Sequence, residues 1–381
     1  MPGEEQTQEG RPVRPLAVAS VSVRSFRNLA TVDLTFGPRF NVFAGDNGQG
    51  KTNLLEAIYV FATSQSFRTS RPREVVAHGE ETASVRGVVR EGDEEREQSV
   101  GLRTGLRAVR IDGKRPSTLA SYAVRTPTVV FHPGAVGLSS GAGAERRRLL
   151  DRLALYRAPQ SLADGEAYVR AVRARQRVLE TRGEQARDLD DWEALMVRHG
   201  SAMAMARADA AERLGAAAER AFDRIGRRAV EDVGLSVVYV PNAPREPEAF
   251  RARLAENRVR DHARGSATCG PHRDDLSLDL GGRPVRGVAS QGQHRAVVLS
   301  LELAEIEVVG EARGVRPLLL LDDVSSELDR DRTAALFAAL RAHEGQVLLT
   351  TTRPELIETG LVSRVEERRD FTVVAGTIRP A

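Results

Sequence analysis

The sequence predicts an α/β fold interrupted by an all-helical stretch, and it does so on three observations. Gly45 to Thr52, GDNGQGKT, fills the template G-x-x-x-x-G-K-[ST] at every fixed position, between an apolar run and a segment with apolar residues at helical spacing. Leu318 to Leu321 is an aliphatic run that ends in two carboxylates, Asp322 and Asp323. Between them, from Arg146 to about Arg228, Ala, Arg, Leu and Glu dominate.

Composition bounds the reading. A chain of 381 residues, 41% hydrophobic and 29% charged, can bury a large core and form more than one domain. Leu318 to Leu321, its longest purely aliphatic run, is far too short to cross a bilayer, so no membrane partner is expected. Met1 to Arg14 is polar, with early acids and Pro2 and Pro12. It lacks the basic start and apolar middle of a signal peptide and reads as a flexible tail, residues 1–15. A single cysteine, Cys269, excludes an intrachain disulfide and a cysteine-based zinc site, which suits a reducing cytoplasm. The net charge of +3 permits nucleic-acid binding without establishing it.

After the tail, Val21 and Val23, then Val32, Leu34 and Phe36, alternate with polar residues about Arg27-Asn28, the pattern of a hairpin. Phe40 to Ala44 reads as a buried strand, and Leu54, Leu55, Ile58 and Phe61 as one face of a helix. In the loop between, Gly45, Gly48 and Gly50 allow successive N–H groups to face an anion, and the helix start near Lys51 adds its positive dipole end. Gly45, Asp46, Asn47, Gly48, Gln49, Gly50, Lys51 and Thr52 are therefore expected to cradle a nucleotide polyphosphate, with Lys51 on the terminal phosphates and Thr52 on Mg²⁺. Ser66 to Arg71, closed by Pro72, is a basic surface loop, and the short alternating pieces from Ala83 to Ile111 form a meander.

Helix takes over at Arg146. Leu149, Leu150, Leu153 and Leu155 begin one segment, Tyr168, Val172, Val178 and Leu179 sit in a second, and Trp192, Leu195 and Met196 begin a third. No heptad is sustained, so extended hairpins are expected, not a long coiled coil. Leu235 to Val240 alternates as a strand, and Phe250 to Ala263 reads as one amphipathic helix. A buried parallel strand at Leu318 delivers its last side chains to the ligand edge of a sheet, which places Asp322 beside Mg²⁺ and makes Asp323 a candidate general base for water. Ser290-Gln291-Gly292-Gln293, just before Val297, Val298, Leu301 and Ala304, puts a hydroxyl and a helix dipole at one point: a second anion site or an ordinary N-cap.

Taken together, Phe26-Arg27-Asn28, GDNGQGKTNLLEAIY, Ser66 to Ser70, Thr268 to Leu276, Ser290 to Gln293 and LLLDDVSSELD resemble, in order, the motifs of the RecF family of ABC-type ATPases. The resemblance implies an ABC-type head (a P-loop NTPase), like those of SMC and Rad50, formed from both ends of the chain at 16–145 and 258–381, with a helical arm at 146–257. It further implies an ATP-dependent homodimer in which Lys51 of one chain and Ser290 of the other hold the same ATP, with Gln291, Gly292 and Gln293 at that contact. Arg27 and Asn28 match a motif near the phosphates, Ser326 to Asp329 the D-loop, and Thr350 to Thr352 the switch position. Where relatives follow Phe-x-Pro with acids and place a proline before the paired arginines, this chain has Gly134, Ala135 and Ala144.

The implied activity is a slow, DNA-stimulated ATPase switch on duplex or gapped DNA, acting in recombinational repair and replication restart with RecR- and RecO-type partners. The implied location is the cytoplasm, with the nucleoid. The alternatives are an SMC-like ATPase serving a nuclease partner and an ATP-binding assembly protein without turnover. Arg68, Arg71 and Arg73, Arg146 to Arg148 with Arg152, and Arg170, Arg173, Arg175 and Arg177 are candidate phosphate contacts, although a solvated face balanced by nearby acids is the commoner role of such clusters. His272, Arg273, Asp274 and Asp275 read as an ion-pair network and are assigned no metal.

Overall fold

Leu318 to Leu321 shows how the core is organised. Leu318 and Leu320 join one apolar cluster and Leu319 and Leu321 another, the two-residue period of a strand buried on both faces. All four are fully buried, each adding about 1.5–3 kcal/mol of hydrophobic stabilisation.

The computed structural model describes residues 14–104, 106–226, 233–323, 330–354 and 367–381. Its strands are β1 Leu16–Phe26, β2 Leu29–Thr35, β3 Phe40–Ala44, β4 Thr82–Glu91, β5 Glu94–Arg103, β6 Leu106–Ile111, β7 Thr128–Phe131, β8 Leu235–Val240, β9 Asp275–Leu280, β10 Arg283–Pro284, β11 Leu318–Asp322, β12 Val347–Thr351, β13 Arg368–Val374 and β14 Thr377–Pro380. Its helices are α1 Lys51–Thr63, α2 Leu119–Ala123, α3 Gly137–Ser140, α4 Gly143–Arg157, α5 Gln160–Arg182, α6 Leu189–Gly226, α7 Pro247–Glu256, α8 Arg258–Arg264, α9 Gln291–Arg313 and α10 Arg330–Ala342. Among the described residues, no helix is long and apolar enough to cross a membrane.

The central sheet has the order β14-β13-β3-β12-β11-β7; from β13 to β7 it is parallel, and β14 pairs antiparallel at the edge. The N-terminal β3 lies between the C-terminal β13 and β12, so both ends of the chain build one head. A second sheet, β2-β1-β4-β5-β6, is antiparallel and contains the expected hairpin and meander. Helix α1 shares one apolar cluster with this sheet and with Phe43, Leu318 and Leu320 of the central sheet. On the other face, α4, α6, α9 and α10 cover Val42, Leu319, Leu321 and Val347.

The helical stretch divides in its packing. Leu149, Leu150 and Leu153 of α4 and Ala210 to Phe222 of α6 belong to the core of the head. Helix α5 and the first half of α6 share a smaller core with α7, through Tyr168, Met196, Phe250, Leu254 and Cys269. The single helix expected from Phe250 to Ala263 is two, α7 and α8, meeting at Asn257. Asn is a poor helix former, and tertiary bonds redirect the chain. Asp261 of α8 is buried and accepts from Arg175 Nη1 (2.7 Å), Thr268 N (2.8 Å) and Thr268 Oγ1 (2.6 Å). Strand β8 pairs antiparallel with β9 in the sheet β10-β9-β8.

Candidate functional site

Close backbone approaches shape the loop between β3 and α1. Gly48 and Gly50 have φ of 79° and 109°, where a side chain is strained. A Cβ on Gly50 would stand 2.9 Å from Asn28 Oδ1, and one on Gly45 2.3 Å from the Val373 carbonyl oxygen. The loop is thus held between the β1–β2 turn and β13. The β13–β14 turn holds it further: Ala375 N–H donates to Gln49 Oε1 (2.6 Å) and Gly376 N–H to the Gln49 carbonyl (2.8 Å). Asp46, Asn47 and Gly48 at the tip are exposed.

Lys51 is buried, and its Nζ donates to the carbonyls of Gly45 (2.7 Å) and Asp46 (2.9 Å), inside the curl of the loop. Burial pushes its pKa down, while Asp323, Asp322 and Asp46 act in the opposite direction. The Asp322 and Asp323 carboxylates arrive because β3, β12 and β11 end in register, Ala44 beside Thr351 and Thr350 beside Asp322. This is the carboxyl edge where parallel sheets hold ligands. Thr52 Oγ1 donates to Asp322 Oδ1 and Oδ2, both at 2.9 Å. Thr350 Oγ1 donates to Asp322 Oδ1 (2.9 Å) and accepts from Asp323 N–H (3.0 Å). Burial pushes the Asp322 carboxyl up, against the two hydroxyl hydrogen bonds. Asp323 leaves the strand with φ 48°.

Glu56, absent from the sequence-predicted site, organises the flank. Its side chain is fully buried, and it accepts from Arg27 Nη2 (2.8 Å) and Nε (3.0 Å), Arg68 Nη1 (3.0 Å) and Ser66 Oγ (2.6 Å). Arg68 also donates to Asn53 Oδ1 (2.8 Å), whose amide donates to Asn28 Oδ1 (2.8 Å). Arg27 and Asn28 therefore sit beside the loop, with Arg27 turned onto Glu56 and the Glu74 carbonyl. The signal available in sequence was a lone carboxylate one turn beyond Thr52, among the apolar residues Leu54, Leu55, Ala57 and Ile58 of α1.

Ser290 caps α9. Its Oγ accepts from Gln293 N–H (3.2 Å), and Gln293 Oε1 accepts from Ser290 N–H (2.8 Å), a capping box. Ser290 and Gln291 are exposed, and a Cβ on Gly292 would stand 3.3 Å from Arg332 Nη2. Among the described residues no hydrogen bond joins Ser290 to Gln293 with Gly45 to Thr52. Ser326 to Asp329 lie outside the described residues.

The arginine runs sort by burial. Arg146 pairs with Asp275 (2.6 Å), Arg152 with Glu305 (2.7 Å), and the fully buried Arg175 with Glu193 (2.9 Å) and Asp261 (2.7 Å), so these three serve the fold. Arg73, Arg170, Arg173 and Arg177 stay exposed. In the run His272 to Asp275 the ion pairs belong to the two aspartates, Asp274 with Arg207 (3.1 Å) and Asp275 with Arg146 (2.6 Å), while His272 Nδ1 meets Tyr168 Oη (2.7 Å) and Arg273 donates to the Ala267 carbonyl (2.7 Å).

A phosphate-type loop after β3, an aspartate-ended β11 on the far side of β12 and a capped α9, on a head built from both chain ends, define an ABC-type ATPase head. The model of the RecF/RecN/SMC N terminal domain family matches residues 17–368. The DNA replication and repair protein RecF of Anaeromyxobacter sp. (strain Fw109-5) is 41% identical over 351 residues, 90% of this chain and 94% of that protein. The RecF of Geobacter sulfurreducens is 35% identical over 95% and 99% of the two chains. Among solved structures, the recombination mediator protein RecF-ATP in the RecFOR pathway is 27% identical over 100% of both chains, with a TM-score of 0.85. An Smc head domain from Pyrococcus yayanosii, 12% identical over 96% and 97% with a TM-score of 0.53, shares the fold. The chain belongs to the RecF family.

Proposed function

We propose that this chain is an ATP-dependent DNA-binding protein of recombinational repair and replication restart, an ATP-controlled dimeric clamp on duplex or gapped DNA. The observation that carries the reading is the convergence of Lys51, Thr52, Asp322 and Thr350 at one sheet edge. The curled loop with its buried ammonium suits a nucleotide polyphosphate, and a hydroxyl beside a carboxylate is a hard-oxygen donor set that suits Mg²⁺. Thr52 and Asp322 would hold the cation, which supplies charge neutralisation at the phosphates when bound. Lys51 orients the terminal phosphates, and Asp323 draws the proton from the attacking water.

The exposed Ser290 cap, which makes no hydrogen bond to its own chain's Lys51 loop among the described residues, supports a nucleotide shared between two copies, with Gln291 to Gln293 at the same contact. In this reading the ATPase is slow, stimulated by DNA and coupled to RecR- and RecO-type partners that help load recombinase, in the cytoplasm at the nucleoid. Support for the pathway is the similarity to RecF proteins along nearly the whole chain. The test is sizing in solution with and without ATP, alone and on gapped DNA. The parent should form an ATP-dependent dimer, and Lys51→Met should lose both nucleotide binding and that dimer. Tight ATP binding by Lys51→Met would overturn the loop assignment.

A further inference from the structure

A cleft of about 630 Å³ opens where the helical arm meets the head, between the Ser64–Pro72 loop, α4 and α5. Its lining carries six arginines and three carboxylates. Several of these charges are matched: Arg148 with Glu145, Arg152 with Glu305 and Asp151 with Arg207. Arg71 is matched by Glu74 at the surface. What remains is asymmetric, with Arg107, Arg170 and Arg173 against Glu166 alone. Arg107 is half-buried, and its guanidinium donates to the Ser64 carbonyl (2.8 Å), with no carboxylate in contact. Burial holds its pKa below the ordinary value, with Glu166 acting in the opposite direction. Arg170 and Arg173 are exposed, one turn apart on α5, and their side chains make no hydrogen bond or ion pair among the described residues.

The rest of the lining is mixed. Ser66, Thr69 and Ser70 supply hydroxyls, and Phe67, Leu162 and Met203 supply apolar surface. Guanidiniums in excess of carboxylates, placed beside ring and aliphatic surface, suit a phosphodiester carrying its base. The volume lies in the range of a small-ligand pocket, about 300–1,000 Å³, which accommodates one or two nucleotides of an unpaired strand and not a duplex. We propose that this cleft seats a single-stranded nucleic-acid segment, with its phosphates on Arg107, Arg170 and Arg173. The site extends the DNA-binding reading above and stands separately from the nucleotide loop.

Full-length protein is titrated with a labelled short oligothymidylate and, in parallel, a blunt duplex, by fluorescence anisotropy over a salt series. Arg170→Ala with Arg173→Ala removes two exposed side chains without partners, so folding should be unaffected. Oligothymidylate affinity should fall at least about tenfold, and the salt slope should shrink by about 1.4, two phosphates at about 0.7 each. Gly165→Phe fills the cleft without changing its charge, because Gly165 lines it and a Cβ there meets nothing within 4 Å. This variant should weaken the oligothymidylate with an unchanged slope. Both variants should keep parental duplex and ATP binding, which separates this outcome from a failure of the nucleotide loop. Parental oligothymidylate binding by both variants would overturn the proposal. So would an equal loss of duplex and single strand in the arginine variant.

Discussion

Thr52 and Asp322 stand 270 positions apart in the chain, and the Thr52 hydroxyl lies 2.9 Å from each oxygen of the Asp322 carboxylate. Burial raises that carboxyl above its ordinary 3.8. A raised native pKa means that the stabilising contribution is complete below the unfolded value and is lost as the pH climbs through the native one. The ionised group therefore costs the ligand-free fold, yet a divalent cation requires it. Asp322→Asn should raise the melting temperature of the ligand-free protein at neutral pH and abolish the added stabilisation by Mg·ATP. In the parent, that added stabilisation should fade as the pH drops through the raised pKa. Thermal melts across mildly acidic to neutral pH check both, and a ligand-free variant that melts below the parent would contradict the assignment.

Glu56 is the shared acceptor of Arg27, Arg68 and Ser66. Glu56→Ala leaves the 21%-exposed Arg27 side chain with the Glu74 carbonyl but without its carboxylate partner, while Arg68, 41% exposed, can turn to water. Breaking a buried pair costs about 3–5 kcal/mol, and the lower end is expected here. Urea unfolding measures it, and a loss under about 1 kcal/mol would show that the network does not hold the flank.

Asp323→Asn should keep Mg·ATP binding and lose turnover by roughly 10²–10⁴-fold, the usual contribution of a positioned general base. ATP-dependent dimers should then persist on DNA. Turnover at the parental rate would mean that another group takes the proton from water.

Local chemistry made much of this legible. The strand, glycine loop and α1 are encoded in one stretch of periodicity and glycine spacing, and the aliphatic β11 announces its own burial. Glu56 stands out as a carboxylate in an apolar run, but its partners lie 29, 12 and 10 positions away, so spacing does not reveal what it holds. The same holds for the Ala375–Gly376 turn, 326 positions from the Gln49 side chain that it grips. Arginine runs cannot be sorted from composition. Arg173 and Arg175 are two positions apart, on opposite sides of α5, and one is exposed while the other is fully buried. The break at Asn257 depends on Asp261 and its distant partner Arg175, 86 positions away, so periodicity alone reads through it.

The shared-nucleotide clamp rests on Ser290 most directly. If Lys51 of one chain and Ser290 of the other hold the same ATP, Ser290→Arg should leave monomer ATP affinity nearly intact. Losing a charge-assisted hydrogen bond costs about 1.5–3 kcal/mol, at two symmetric sites, so ATP-driven association should weaken by roughly two to four powers of ten. Sedimentation velocity with saturating Mg·ATP is the decisive measurement. Ser290→Arg protein should remain monomeric, and mixing with Lys51→Met protein should restore at most one composite site. A Ser290→Arg protein that dimerises with ATP as the parent does, and hydrolyses it at the parental rate, would contradict the account.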